Sequence, residues 1–414
     1  MTTLSVVIPA YNEEDGIAEI IHRVLAVNEK LVDVGVQNLE LIVVDDGSQD
    51  MTAQIASSVD GVRLICHPTN RGYGAALKTG FSQAEGELIG FLDADGTYPP
   101  EYFPQLCKEA LDGSELVVGS RMAGAESEMP LVRRIGNRFF AGMISLLGRQ
   151  RITDSASGMR VFKREVLEKV YPLPDGLNLT PIMSTRAIHE GVKMVEIPIP
   201  YNERVGRSKL SAVRDGSIYV QSIIWTVLTY NPVRILGMIG LGGIVLAGIV
   251  ALSIVSARLS GITYLGHWGV AALFGGLLSG VIGISIFSLG VTSNYLVSLF
   301  YKQPIRQGLF GRPLFSIPLD KHFWWMGILG LVGGLGVAGI SLGLGVRGWE
   351  ITRLWFYLLG SAMMILVGVQ LLISWIILRV LDDLAKREIL AGRDLNGEFA
   401  GVDVGGLRLE VGGK

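Results

Sequence analysis

The chain has 414 residues and a formal net charge of −2, and its mean hydropathy is +0.43. Because acidic and basic residues nearly balance, no nucleic-acid partner is expected. Two cysteines are too few for a disulfide framework or a zinc cluster, and the histidines show no metal-ligand spacing.

The amino-terminal half predicts an α/β fold with a parallel sheet. Residues 4–9 form a β-branched run, residues 15–27 have helical periodicity, and residues 39–44 form a second apolar run. Further strands are predicted at 62–65, 87–92 and 116–118, and further helices at 52–58, 75–84 and 102–111. In such sheets ligands bind outside the carboxyl ends of the strands.

Two carboxylates, Asp93 and Asp95, follow the fourth predicted strand one residue apart. Alternate residues of an extended chain share a face, so both side chains can bind one hard cation, Mg²⁺ or Mn²⁺. A solvated turn is the competing interpretation of this pattern alone. The loops after the first two strands bring further polar residues to the same edge.

Seven segments resemble, in their order, the family 2 glycosyltransferases of GT-A fold, and most of all the dolichyl- and polyprenyl-phosphate sugar synthases. They are VIPAYNE (7–13), VDDGS (44–48), NRGYGAA (70–76), DADG (93–96), VGSR (118–121), SGMR (157–160) and RVGRSKL (204–210). The resemblance covers roughly residues 4–213. It implies a Rossmann-like GT-A domain with a mostly parallel sheet.

The resemblance also implies a binding site for a nucleotide-diphospho-sugar. The residues carried over to that site are Pro9, Tyr11, Glu13, Asp45 or Asp46, Arg71, Asp93, Ala94, Arg204 and Lys209. Asp93 and Asp95 are the implied metal ligands, and Arg207 and Ser208 belong to an implied lid over the diphosphate. Relatives often carry an amide or imidazole where this chain has Thr97, which leaves the third metal ligand open.

An acceptor phosphate site is implied by the same resemblance. Its residues are Arg121, Arg133 or Arg134, and Asn137. Asp154 is carried over, with Asp95, as a catalytic candidate that orients the acceptor or the sugar or acts as a base. An ion pair between Asp154 and Arg160 is the structural alternative.

The expected reaction is attack by a polyprenyl phosphate oxygen on the anomeric carbon of the donor, with inversion. An anionic nucleophile has no obligatory need for a general base. UDP-glucose is the first expected donor, followed by GDP-mannose and UDP-N-acetylglucosamine. A processive polysaccharide synthase is the enzymatic alternative, although its Q-x-x-R-W signature is absent from the sequence, and a degenerate membrane assembly factor is the non-enzymatic one.

The carboxyl half predicts four membrane spans, at 235–255, 268–287, 324–344 and 354–377. Basic residues concentrate between spans two and three and after span four, so both termini and the catalytic domain are expected on the cytoplasmic face of the cell membrane. The predicted domains are residues 1–230, 231–380 and a tail at 381–414. No cleavable signal peptide is expected.

Two segments before the first span, 129–147 and 212–230, combine apolar residues with arginines or aromatic residues, as helices at a membrane surface do. A helix whose charged face covers a soluble core explains the first segment equally well. Glycine-rich spans favour close helix packing. For the second pair of spans, oligomerisation, acceptor entry and coupling to a flippase remain alternative roles.

Overall fold

The computed structural model describes residues 2–124, 129–148, 150–202, 212–262, 266–301, 319–349 and 351–396. The chain divides into two units, residues 1–227 and 228–414.

The first unit contains a seven-stranded sheet in the order β3-β2-β1-β4-β6-β5-β7. All neighbouring strands are parallel except β6, which runs antiparallel to both β4 and β5. The strands are β1 (Thr2–Ala10), β2 (Val36–Asp45), β3 (Val62–Cys66), β4 (Leu88–Phe91), β5 (Leu116–Ser120), β6 (Arg160–Lys163) and β7 (Met194–Pro198).

Nine helices belong mainly to this unit among the described residues, and a short 3-10 turn precedes α5. They are α1 (Ile17–Leu25), α2 (Asn28–Asp33), α3 (Thr52–Ser57), α4 (Tyr73–Gln83), α5 (Phe103–Leu111), α6 (Leu131–Gly148), α7 (Val166–Val170), α8 (Leu179–His189) and α9 (Ala212–Tyr230).

The predicted α/β class with a mostly parallel sheet is confirmed, and all five predicted strands are present. Sequence analysis missed β6, because a four-residue strand that begins with Arg160 lacks an apolar run. It also missed β7, since prolines punctuate that segment. Both missed strands lie on the side of β4 away from β1, where they extend the sheet.

Both faces of the sheet are covered, which is why its strands read as continuous apolar runs. Along β1 the side chains of Val6 and Ile8 pack in the same core as Ile17 and Ile21 of α1. Val7 points to the opposite face and meets α4 at Gly80, where a Cβ would collide with its Cγ1. This close approach packs α4 directly on β1.

In the described part of the second unit there are four long helices, α10 (Pro232–Leu259), α11 (His267–Tyr301), α12 (Phe323–Val346) and α13 (Ile351–Asn396). Each includes a segment long and apolar enough to cross a membrane, as predicted. The last helix continues well past the predicted end of its span at residue 377.

Glycines let these helices pack in pairs with their backbones in contact. A Cβ on Gly240 of α10 would lie 2.5 Å from the carbonyl oxygen of Gly283 on α11. A Cβ on Gly368 of α13 would lie 2.5 Å from the backbone nitrogen of Leu331 on α12. The unit is therefore built from two glycine-packed helical hairpins.

Candidate active site

A cavity of about 750 Å³ lies in the first unit at the carboxyl ends of β1, β2 and β4, and residues of α6 and α9 line it as well. Ten of the residues selected from the sequence line it: Pro9, Tyr11, Glu13, Asp46, Asp93, Ala94, Asp95, Arg121, Arg133 and Asn137. One continuous space therefore joins the expected nucleotide, metal and acceptor positions.

The loop after β1 is fixed by the loop after β2. Asn12 has a left-handed backbone with φ +50°, and its amide donates to Ser48 Oγ at 2.9 Å. The next amide, of Glu13, donates to Thr52 Oγ1 at 2.9 Å. These bonds place the side chains of Tyr11 and Glu13 at the cavity wall.

The two adjacent aspartates after β2 differ in environment. Asp46 lines the cavity, and its carboxylate accepts hydrogen bonds from the backbone amides of Arg71 at 2.9 Å and Gly72 at 2.8 Å. Asp45 accepts a bond from the Ser48 amide at Oδ2, while its buried Oδ1 has no hydrogen-bond partner among the described residues. Asp46 thus supports the glycine-rich loop, and Asp45 retains an unused acceptor atom.

The pair Asp93 and Asp95 follows β4 and faces the cavity. Asp93 Oδ1 accepts the Tyr73 hydroxyl at 2.8 Å, and Asp95 Oδ1 accepts the Thr97 hydroxyl at 2.6 Å. Gly158 lies directly against Asp93, because a Cβ at residue 158 would be 2.7 Å from its Cγ. The Thr97 hydroxyl therefore orients a carboxylate in this structure.

Among the described residues no group of three or more His, Cys, Asp and Glu side chains is arranged to hold a metal ion. Mg²⁺ and Mn²⁺ do not need such a group, since one or two carboxylates completed by substrate phosphates and water are common for them. The two carboxylates at this strand end, which both line the cavity, fit that mode of binding.

A second acidic cluster lies deeper, around Asp154, whose side chain is fully buried. Arg121 binds it through Nε at 2.7 Å and Nη2 at 2.8 Å, and Asn137 donates to it at 2.8 Å. Burial raises the pKa of Asp154, but the charge and hydrogen bonds of Arg121 outweigh burial and hold the pKa below its ordinary range. Asp154 is not among the residues that line the cavity.

The guanidinium of Arg121 lies beside two aromatic rings. Its Cζ is 5.6 Å from the ring centroid of Tyr98 and 5.3 Å from that of Tyr201. Burial lowers its pKa, but Asp154 more than compensates and raises the pKa well above the ordinary value. Arg121 is thus a charged and oriented group at the cavity wall.

The alternative ion pair between Asp154 and Arg160 is not formed. Arg160 is fully buried and donates to the carbonyl oxygens of Ser157 and Ser155. Burial lowers its pKa to about 10. The partner of Asp154 is Arg121, 33 residues away along the chain.

The structure separates the two adjacent arginines of α6. Arg133 lines the cavity, as do Asn137 and Phe140 on the same helical face. Arg134 and Arg138 do not line the cavity and are exposed beside Leu131, which is 70% exposed. The acceptor position that the sequence left open therefore fits Arg133, and Arg134 belongs to an outward apolar and basic face.

Some selected residues lie elsewhere. Arg71 is exposed and reaches the site only through its backbone amide. Four further residues, Arg204, Arg207, Ser208 and Lys209, lie outside the described residues, as does the predicted lid. Sequence analysis selected Tyr11 but not four further tyrosines that line the cavity, although the first of them lies inside the NRGYGAA segment: Tyr73, Tyr98, Tyr201 and Tyr219.

Comparison with known proteins identifies the family. Residues 5–171 match the glycosyl transferase family 2, and residues 232–392 match a domain of unknown function (DUF8752). The undecaprenyl-phosphate 4-deoxy-4-formamido-L-arabinose transferase of Photorhabdus laumondii is 32% identical over 303 residues, which are 72% of this chain and 89% of the relative. The chain belongs to glycosyltransferase family 2.

Its relatives within family 2 place it on the polyprenyl-phosphate sugar transferase branch. The dolichyl-phosphate hexose transferase of Haloferax volcanii is 33% identical over 221 residues, covering 53% of this chain and 92% of the relative. The predicted GT-A fold class and the predicted enzyme class are therefore both confirmed.

Among solved structures, the chain is similar to glucosyl-3-phosphoglycerate synthase from Mycobacterium tuberculosis in complex with Mn²⁺, UDP and phosphoglyceric acid. The identity is 22%, the TM-score is 0.44, and the match covers 55% of this chain and 78% of the synthase. At this level of similarity no ligand is carried over to the family 2 domain described here.

Proposed function

We propose that this glycosyltransferase moves one sugar from a nucleotide-diphospho-sugar to a polyprenyl phosphate at the membrane surface, with a divalent metal and with inversion. UDP-glucose is the first donor to test, followed by GDP-mannose and UDP-N-acetylglucosamine. The observation that carries the proposal is one cavity in which a carboxylate pair, Asp93 and Asp95, and two arginines, Arg121 and Arg133, line the same space.

That arrangement suits a reaction between two polyanions. Mg²⁺ or Mn²⁺ bound by Asp93 and Asp95 would offset the charge of the leaving diphosphate. Arg121 and Arg133, with Asn137, would bind the acceptor phosphate through charge-assisted hydrogen bonds. Pro9, Tyr11 and Glu13, which line the cavity, would contact the nucleoside, as would Asp46 of the two adjacent aspartates.

We assign Asp154 a positioning role in place of a general base. Its carboxylate is buried and bonded to Arg121 and Asn137, and its lowered pKa makes it a poor proton acceptor. The acceptor phosphate is itself anionic near neutral pH, so the reaction has no need for that base. Asp154 then acts by fixing the direction of Arg121.

The membrane arrangement is also part of the proposal. Residues 1–230 are assigned to catalysis, 231–380 to the membrane and 381–414 to a tail, with the catalytic domain and both termini on the cytoplasmic face of the cell membrane. The positive residues Lys302, Arg306, Arg312 and Lys321 between spans two and three support this orientation. Homo-oligomerisation stays a prediction.

The first experiment measures transfer of radiolabelled sugar from a panel of UDP- and GDP-sugars to polyprenyl phosphate by the purified full-length protein, with and without Mn²⁺. We expect a lipid product carrying one sugar, formed only with metal and from one donor. Long carbohydrate chains would identify a processive synthase. The absence of product with every donor and lipid would contradict the proposal.

A matched pair of variants tests the acceptor site. Arg133→Gln removes a charge from the cavity wall, so the KM for polyprenyl phosphate should rise about tenfold while the KM for the donor stays the same. Arg134→Gln removes the neighbouring charge from the outer face and should leave both constants within about twofold. Equal effects of the two variants on the acceptor KM would contradict the assignment of Arg133.

A further inference from the structure

A buried histidine, His67, connects the second aspartate after β2 to helix α4. The residue follows β3 and is 7% exposed. Its Nδ1 lies 2.7 Å from Asp46 Oδ1, and its Nε2 lies 2.9 Å from Thr79 Oγ1. Nothing in the sequence around His67 resembles a metal or catalytic motif, so sequence patterns alone give no sign of this connection.

The hydrogen bonds around Asp46 fix the tautomer of this histidine. An ionised carboxylate only accepts hydrogen bonds, so Nδ1 must carry a proton and donate it to Asp46. The same carboxylate accepts the backbone amides of Arg71 and Gly72. Three donors from the connection between β3 and α4, residues 67–72, therefore converge on Asp46.

The loop that Asp46 supports has little room to move. Gly72 has φ +105°, and a Cβ there would lie 2.6 Å from the carbonyl oxygen of Asp175. The loop leads straight into α4, whose first residue, Tyr73, donates its hydroxyl to Asp93. The direction of the Asp46 carboxylate thus influences both the loop at residues 70–72 and a carboxylate of the proposed metal pair.

We propose that His67 is a positioning residue for the donor diphosphate. By holding Asp46 in one orientation, it presents the backbone of the loop at residues 70–72 to the cavity in the form that binds a nucleoside diphosphate. The proposal rests on the proposed use of this cavity for a nucleotide sugar. If His67 only filled the core, replacing it with another polar residue would change the stability of the unit and leave its nucleotide affinity unchanged.

Two conservative variants separate these roles. His67→Asn places an amide N–H near the position of Nδ1 and keeps the bond to Asp46. His67→Gln extends its amide toward the position of Nε2, so it reaches Thr79 and leaves Asp46 without that donor. Thr79→Val is the control, because it removes only the outer hydrogen bond.

The measurement is binding of UDP and of GDP to each purified full-length variant by titration calorimetry in the presence of Mn²⁺, with Tm recorded for every protein. For the nucleotide that binds tighter, we expect His67→Gln to raise Kd about tenfold, since a hydrogen bond to a charged group is lost. His67→Asn and Thr79→Val should stay within about threefold of the parent protein.

The proposal is overturned if His67→Gln binds as tightly as His67→Asn, or if the parent protein binds neither nucleotide. Because the experiment contains no lipid acceptor, it is independent of the transfer assay. If the protein does not glycosylate polyprenyl phosphate but the variants show the expected order of nucleotide affinities, the proposed transfer reaction is contradicted and the role of His67 is supported.

Discussion

The candidate site contains two carboxylate clusters, an accessible pair and a closed cluster around one buried aspartate, and they differ in chemistry. Asp93 and Asp95 line the cavity, and each accepts one side-chain hydroxyl. Asp154 lies behind the wall, where Arg121 and Asn137 bind both of its oxygens. The comparison teaches that access to the cavity decides which carboxylates can meet substrate and which can only position another group.

The largest effect is expected at the accessible pair. Asp95→Asn removes one negative charge from the proposed metal and diphosphate position, so the transfer rate should fall by about a hundred- to a thousandfold. Rates are measured with the donor identified in the panel. Tm should change little, because the amide keeps the shape of the side chain and can still accept a bond from Thr97.

Asp60→Asn is the matched control for that variant, since Asp60 is an exposed carboxylate of the same unit. Its transfer rate should equal that of the parent protein. If both variants transfer sugar at the same rate, the accessible pair is not used in the reaction and the comparison between the two clusters fails.

The closed cluster should lose stability as well as activity. Asp154→Asn leaves Arg121 charged and unpaired in a buried position, so unfolding free energy should fall by about 3 kcal/mol. Transfer should fall by about a hundredfold, because Arg121 loses its orientation. The double variant Arg121→Gln with Asp154→Asn should recover much of the lost Tm without recovering transfer, since no lone charge then remains buried.

The pH dependence of this loss has a defined sign. The pKa of Asp154 is lowered from its ordinary value of 3.8, so its contribution to stability is complete above that value and disappears as pH falls through the lower folded-state pKa. The difference in Tm between the parent and Asp154→Asn should therefore be constant from about pH 8 to pH 5. A difference that shrinks near neutral pH would contradict the assignment.

The smallest effect is expected at Thr97. Thr97→Ala removes one hydroxyl from Asp95, a loss of about 1 kcal/mol, which corresponds to roughly a fivefold lower transfer rate. Thr97→Ser keeps the hydroxyl and should restore the rate. A loss as large as that of Asp95→Asn would instead identify Thr97 as a direct ligand of the metal or the substrate.

Much of the fold was predictable because buried parallel strands are continuous apolar runs in the sequence. The polar residues of the candidate site come directly after these runs. This is why the amino-acid sequence alone could place Pro9, Asp46, Asp93 and Asp95 at one edge of the sheet. The antiparallel strand β6 could not be predicted, since its four residues are too few to show a periodic pattern of apolar side chains. Its place in the sheet depends on pairing with β4 and β5.

The partner of Asp154 was out of reach for a different reason. Arg160 lies closer to Asp154 along the chain. Arg121 directly follows β5 and Asp154 precedes β6, so the pairing of these two strands brings Arg121 to the carboxylate. The spacing to Asn137 could not separate Arg133 from Arg134 either, since i,i+4 and i,i+3 neighbours both share a helix face. Only the cavity lining, which includes Arg133 and not Arg134, separates them.

The contact between Gly158 and Asp93 limits how this chain can vary. Any side chain at residue 158 would occupy the space of the Asp93 carboxylate, while the amide of the same residue donates to the Tyr98 hydroxyl at 2.7 Å. In a library of random single substitutions, residue 158 should therefore accept no replacement that keeps activity. Descendants of this chain can therefore change residue 158 only if residue 93 changes as well.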